Sequence, residues 1–405
     1  MSIRIVPLAL IGMAIGLLAA GCGGASSKES SSAPAIDSVT GLPLCASDPS
    51  KQSSSPCVDP TGAVLCKAAS GFEGDELALC KPDPETGMLL HYGPKNYDDP
   101  EDLARFTLAA GGEDETCTFV HSPNAELRHV KNYHGRLRPH SHHLIVTTLD
   151  HEVQDDDVPV KCSPIDVAGA RWLVGSQSPK MDVTVGGASG FGAEAPLPTD
   201  PDYHLAQQIP ASVPMRLDLH YVNTSEKPAL KEAWISFDYA KEDEVKALVD
   251  MITFFQASID VQPQQSAETA IAKCTAPSDR YVALLTGHFH KTGTRFTTWY
   301  EHADGTQEKV YETFSWSEPG NLYYRDGVTI PPSNPVAMTM GGDHSGYLHV
   351  KAGESLLFQC AYRNDTDRAV TLGETSGDEM CNTFGMYYPS NGDVWSCTCV
   401  GTRCM

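Results

Sequence analysis

The stretch Tyr281-Val-Ala-Leu-Leu-Thr-Gly-His-Phe-His290 decides how this chain folds. It is one of a series of brief runs rich in β-branched and aromatic residues. The others are Cys117–Ser122, His142–Leu149, Met215–Asn223, Ala233–Tyr239, Phe255–Val261, Thr294–Tyr300, Tyr347–Ala352 and Leu356–Tyr362, with Gly, Pro, Asp and Asn between them. Many short strands with turn punctuation predict an all-β sandwich architecture rather than alternating strands and helices. Few segments show helical periodicity, and Asp99–Ala110 and Glu242–Phe255 are the best candidates for helices. No repeat of fixed period, G-x-G-x-x-G, Walker loop, H-E-x-x-H or G-x-S-x-G occurs.

The 405 residues exceed one ordinary core and suit two domains of about 150 residues each plus a smaller piece. An apolar strand gives way to charge near residue 243, which predicts one sandwich over 96–243 and another over 244–405. Residues 44–82 hold Cys45, Cys57, Cys66 and Cys80 among Pro, Gly and Ser, and are expected to need two internal disulfides for order. Residues 23–43 are too poor in apolar side chains to fold and read as a tether.

Residues 1–22 read as an export signal: Arg4 precedes the apolar run Ile5–Ala20, and small residues lead to Cys22. Ala19-Ala-Gly-Cys22 resembles a bacterial lipoprotein processing box. That resemblance implies a lipid on Cys22, attachment to the bacterial cell envelope through the lipid alone, and no spanning helix. Twelve of the 13 cysteines then remain, an even number in an oxidising compartment, so disulfides are expected. With 52 acidic against 29 basic residues the net charge is −23, which leaves no cationic surplus for a nucleic-acid backbone.

His288 and His290 are two apart, so on a strand they project from one face and can share a metal, with Phe289 turned the other way into the core. His140, His142 and His143 are ambiguous. Strand alternation pairs His140 with His142, whereas adjacent His142 and His143 diverge unless the backbone bulges. His220 arrives from a separate run, with Asp218 two residues before it as a candidate to orient an imidazole. Met380 precedes Cys381, and Met386 is its rival in the same segment. Imidazole suits several transition metals, but an added thioether favours Cu(I), so the set reads as a copper site that cycles between oxidation states.

These motifs together resemble the copper type II, ascorbate-dependent monooxygenases, the family of peptidylglycine α-hydroxylating monooxygenase and dopamine β-monooxygenase. The resemblance runs from about Cys117 onward: His142-His-Leu-Ile-Val146, Leu219-His-Tyr-Val-Asn223, Gly287-His-Phe-His-Lys-Thr-Gly293, and Asp378-Glu-Met-Cys-Asn382 with Met386-Tyr-Tyr-Pro389. It implies two tandem jelly-roll sandwiches facing each other over a solvent-filled cleft. One copper would sit at His142, His143 and His220, and a second, catalytic one at His288, His290 and Met380. It also implies ascorbate as electron donor, O2 and a small organic molecule as substrates, a monomer, and a substrate contact from Asn382. Implied disulfides are Cys117–Cys162, Cys360–Cys381, and Cys274 with Cys397, Cys399 or Cys404. The peptide-amidating branch carries an Arg where this chain has Thr286 and a Tyr where it has Phe384, so a carboxylate-bearing peptide loses its anchor.

The function expected is therefore copper-dependent hydroxylation of a C–H bond of a small molecule. The alternative is a copper-binding lipoprotein that sequesters or delivers the metal without turnover. A zinc hydrolase is disfavoured, because no motif sets a Glu beside the imidazoles as general base.

Overall fold

The run Met215–Asn223 becomes the strand Pro214–Val222, which is buried along all but its ends because it lies mid-sheet. A computed structural model describes residues 35–46, 56–162, 170–176, 179–185, 204–316, 319–320, 322–323, 348–390 and 394–405. Glu113–His121 and Ser141–Thr148 flank that strand and run antiparallel to it. Asp156–Lys161 and Arg171–Ser176 complete this five-stranded sheet. The facing sheet centres on Arg128–Leu137, with Ala233–Tyr239 and Gly87–Tyr92 to one side and His204–Ile209 and Val245–Leu248 to the other. Alternate residues such as Leu217, Leu219, Leu144 and Val146 meet Val130, Tyr133, Ile235 and Phe237 in one apolar core between the sheets.

The second sandwich is built alike. Arg280–His288, Asn382–Tyr388, Asp250–Gln256 and Trp395–Val400 are consecutive in a seven-stranded sheet. It faces a five-stranded sheet in which Ser355–Asn364 and Gly293–Glu301 pair. Ile252, Phe254, Val282, Leu285, Phe289, Phe296 and Phe358 fill the space between. The chain is thus all-β in two sandwiches, with one α-helix among the described residues.

Two candidate helices resolve differently. Pro100–Phe106 is helical, capped by Asp99, whose carboxylate accepts from the Glu101 amide, with Pro100 in the first turn. It stops before Ala110, since Thr107–Leu108 pairs with Ala229–Leu230. Glu242–Phe255 is not a helix: a 3-10 turn at Glu242–Glu244 leads into strands Val245–Leu248 and Asp250–Gln256. Ile252 and Phe254 go into the core while neighbouring strands hold both edges, and tertiary pairing overrides the helical charge pattern. Val245–Leu248 still pairs with His204–Ile209, so the first sandwich extends past residue 243, and Gly87–Tyr92 adds to it before residue 96.

Six disulfides occur among the described residues. Cys45–Cys57 and Cys66–Cys80 staple the N-terminal module. Cys117–Cys162 lies in the first sandwich, and Cys274–Cys397, Cys360–Cys381 and Cys399–Cys404 lie in the second. Residues 1–34, including the export segment and Cys22, lie outside the described residues. Among the described residues no helix is long and apolar enough to cross a membrane.

Two arginines at the end of Arg128–Leu137 fasten the module to the first sandwich. Arg136 and Arg138 are 0% and 1% exposed. Arg136 donates to Asp59 at 2.6 Å and to Asp182 at 2.9 Å. Arg138 donates through Nε to Glu232 (2.6 Å), through Nη2 to Asp75 (2.7 Å) and through Nη1 to the Glu73 carbonyl (2.9 Å). Removing one partner of such a buried pair strands the other charge without water. Arg138→Met is therefore expected to cost about 3–5 kcal/mol in urea denaturation. Adding Glu232→Gln is expected to recover a large part of that loss, since the stranded carboxylate is gone.

Candidate metal centre

The ladder between Ser141–Thr148 and Pro214–Val222 settles the geometry of the paired histidines. His143 stands opposite His220, but the next pair is Ser141 with Tyr221, so His142 is the extra residue of a β-bulge. His140 takes a positive φ of 73°, and its carbonyl accepts from Val222 at 2.9 Å, which absorbs the insertion. The bulge lets adjacent His142 and His143 serve one site. Their ring centroids are 5.4 Å apart, and each lies 5.1 Å from His220. One nitrogen of each of the three rings falls within 4.8 Å of the others. His140 is not in that group.

His288 ends its strand opposite Asn382, and its ring centroid is 5.1 Å from that of His290. Phe289, fully buried, turns into the core between them. Gly293 is required there, because a Cβ on it would lie 1.9 Å from the Phe289 ring. The His290 amide donates to Glu379 (2.9 Å), and its Nδ1–H donates to the Asp378 carbonyl (3.1 Å).

Met380 follows directly. Its carbonyl accepts from Tyr362 (2.8 Å), its sulfur accepts from the Asn382 amide (3.5 Å), and the Cys360–Cys381 disulfide fixes the next residue. Asn382 is 4% exposed. Met386 packs with Met251, Ala283 and Leu284 as core filler.

The two sets adjoin. Ring centroids of His142 and His290 are 6.4 Å apart, and those of His143 and His288 are 6.3 Å apart. His143, His220, His288 and His290 are 5%, 1%, 6% and 0% exposed. Among the described residues these four histidines therefore line no open cleft of the kind the resemblance implies, and the reason lies in the contacts that clamp the seam. Arg171 donates to Asp250 at 2.8 Å, Trp172 stacks on Phe384 at 4.8 Å, and the Ser376 amide of the second sandwich donates to Glu113 of the first at 3.0 Å.

Burial, and then the neighbouring imidazoles, push His142 down to about 4 and hold His143 and His288 well below an ordinary imidazole. Burial also lowers His220 and His290. All five rings are thus neutral at pH 7. Buried nitrogens of four of them (His142 Nε2, both of His143, His220 Nδ1 and His290 Nε2) have no hydrogen-bond partner among the described residues. A bound ion would satisfy buried polar atoms grouped in this way. Five imidazoles and one thioether suit copper.

The carboxylates are placed differently from the sequence reading. Asp218 ion-pairs with Arg216 rather than orienting His220, whose partner is Glu113 at 3.0 Å. Glu115 lies 3.4 Å from His143. Burial, together with Asp218 and Glu374, pushes the Glu115 carboxyl up to about 9. Glu113, Glu115 and Trp172 carry no motif, and only their cross-strand and cross-domain neighbours reveal them.

Residues 343–403 match the family described as copper type II ascorbate-dependent monooxygenase, C-terminal domain. Among solved structures, the chain is similar to the infectious bursal disease virus VP2 subviral particle, with 10% identity, 79% of this chain and 75% of that one covered, and a TM-score of 0.16. It is also similar to PNGF-II, with 10% identity, 76% and 62% covered, and a TM-score of 0.19. Overlaps that low say nothing about fold or function. The family match spans Met380, Cys381 and Asn382, so that segment of the chain is similar to the C-terminal domain of the copper type II, ascorbate-dependent monooxygenases.

Proposed function

We propose that this protein is a copper-dependent monooxygenase that hydroxylates a C–H bond of a small organic molecule with O2 and ascorbate. His142, His143 and His220 would hold one copper, and His288, His290 and Met380 a second. The observation that carries the reading is the convergence, from two sandwiches, of neutral imidazoles with unsatisfied nitrogens, with Asn382, opposite His288 in the ladder, donating to the Met380 thioether. Bound copper supplies the one-electron redox steps and the O2 chemistry. The chain's residues prepare for it. Burial keeps the rings unprotonated, the Asp378 carbonyl fixes the His290 tautomer so that Nε2 is the free nitrogen, and Asn382 with the Cys360–Cys381 disulfide holds the soft ligand in place.

On the substrate side, Thr286 donates to the Gly320 carbonyl and offers no cation to a carboxylate. Trp172, Phe255 and Phe384 form an aromatic group beside His288. A small molecule without a carboxylate fits these walls better than a glycine-extended peptide. The six disulfides favour an exported protein, and lipid attachment at Cys22 is part of the same proposal.

Protein matured in excess copper and zinc is expected to retain two copper ions per chain and to consume O2 with ascorbate faster when a substrate is added. Met380→Ala is expected to lower that rate by about 10²-fold or more while leaving the three-histidine copper bound. Zinc alone in the sites defeats the reading. Copper without substrate-stimulated uptake over a broad panel leaves a copper-holding protein instead, a role that the closed seam also fits.

Proton competition gives a second test. The native rings bind protons more weakly than unperturbed imidazoles near 6.5, so the unfolded chain protonates first as pH falls. Copper retention is expected to stay level from pH 7 to about 5 and to fall toward about 4, where His142 takes up its proton. Dialysis followed by metal analysis reads this directly. Loss centred on 6.5 would mean that the rings are hydrated.

A further inference from the structure

Glu113 opens the strand Glu113–His121 opposite Val222, which places it diagonally across the ladder from His220. Its Oε1 accepts from His220 Nε2 at 3.0 Å and from the Ser376 amide at 3.0 Å, and its Oε2 accepts from the Ser376 hydroxyl at 3.3 Å. Ser376 belongs to the other sandwich, four residues before Met380. Two residues on, the Asp378 carbonyl accepts from His290 Nδ1 at 3.1 Å. A continuous run therefore joins one imidazole of each set: His220, Glu113, the backbone 376–378, His290.

A carboxylate and a carbonyl only accept, so each ring must donate to its partner. His220 is thereby fixed with its proton on Nε2, and His290 with its proton on Nδ1. The nitrogens left over, His220 Nδ1 and His290 Nε2, are among the buried nitrogens without a hydrogen-bond partner among the described residues. One tether thus selects the metal-binding nitrogen of a ring on each side of the seam and draws the segment bearing Met380 over the first sandwich.

We infer that Glu113 is a positioning residue that couples the two histidine sets, by fixing the His220 tautomer and anchoring the Met380 segment across the seam. This rests on the copper reading above for its purpose, but not for its geometry. Replacing Glu113 with Gln keeps an oxygen that accepts from both Ser376 and His220, whereas Ala removes it.

The test uses the full chain with ¹⁵N-labelled histidine, as wild type, Glu113→Ala and Glu113→Gln. In metal-free protein, imidazole ¹⁵N shifts are expected to report a single Nε2–H tautomer of His220 in wild type and Glu113→Gln, and a mixture in Glu113→Ala. Amide exchange at Ser376 is expected to quicken by about 10-fold in Glu113→Ala alone, as a lost local hydrogen bond allows. Cu(I) affinity measured against a competing chelator is expected to fall by about 10–100-fold in Glu113→Ala and to be restored in Glu113→Gln. An unchanged tautomer and unchanged Ser376 exchange in Glu113→Ala would overturn the inference, as would a Glu113→Gln variant as impaired as Glu113→Ala. If wild type takes up no copper, the copper reading fails, and the tautomer and exchange results still decide the role of Glu113.

Discussion

The folded protein must tolerate a group of uncharged imidazoles taken out of water with several nitrogens unsatisfied. A buried polar atom without a partner costs about 1–3 kcal/mol. Here such atoms occur on His142, His143, His220 and His290 within one small volume. A fold optimised for stability alone would replace these rings with apolar side chains. Keeping them makes sense where a bound cation satisfies the lone pairs, and two disulfide-braced sandwiches with full cores supply the stability that offsets the cost.

Holding the rings in that arrangement takes backbone devices that regular strands lack. Strand alternation alone presents every second residue to one face, and this suffices for His288 and His290. It fails for His142 and His143, and the bulge opposite Tyr221, with His140 in a left-handed conformation, corrects the mismatch. The turn is itself clamped. Ser141 donates to the Arg138 carbonyl, Tyr221 donates to the Glu232 carbonyl, and the Arg138 guanidinium reaches Glu232 and the N-terminal module. The module's charges thus bear on the segment that carries the paired histidines, four residues from Arg138.

What the sequence made legible follows the same division. Local rules found the strand runs and the shared face of His288 and His290, because each depends on spacing within one segment, whereas spacing left Met380 and Met386 as rivals and only the family resemblance favoured Met380. Adjacent His142 and His143 stayed ambiguous, since a bulge depends on the partner strand, and Glu242–Phe255 misled because pairing partners more than a hundred residues away in the chain, near Tyr387 and Trp395, decide its conformation. Glu113, Glu115 and Trp172 were invisible for a related reason. They are ordinary strand residues until another sandwich or a neighbouring strand sets a histidine or an aromatic ring against them.

The neutrality of the imidazoles belongs to the assembled pair of sandwiches rather than to either half. His142 is neutral down to about pH 4 through burial and the nearness of His220 and His290, and His290 lies on the opposite sandwich. His143 depends in the same way on His288 across the seam. Separating the sandwiches would hydrate the rings, weaken the mutual influence and return their affinity for protons toward the ordinary imidazole value. The Arg171–Asp250 ion pair, the Trp172–Phe384 stack and the Glu113–Ser376 bond therefore set the protonation state of the rings as well as their positions. The two histidine sets are kept neutral by the same contacts that bring them together, and a change that loosened the seam would be felt at both.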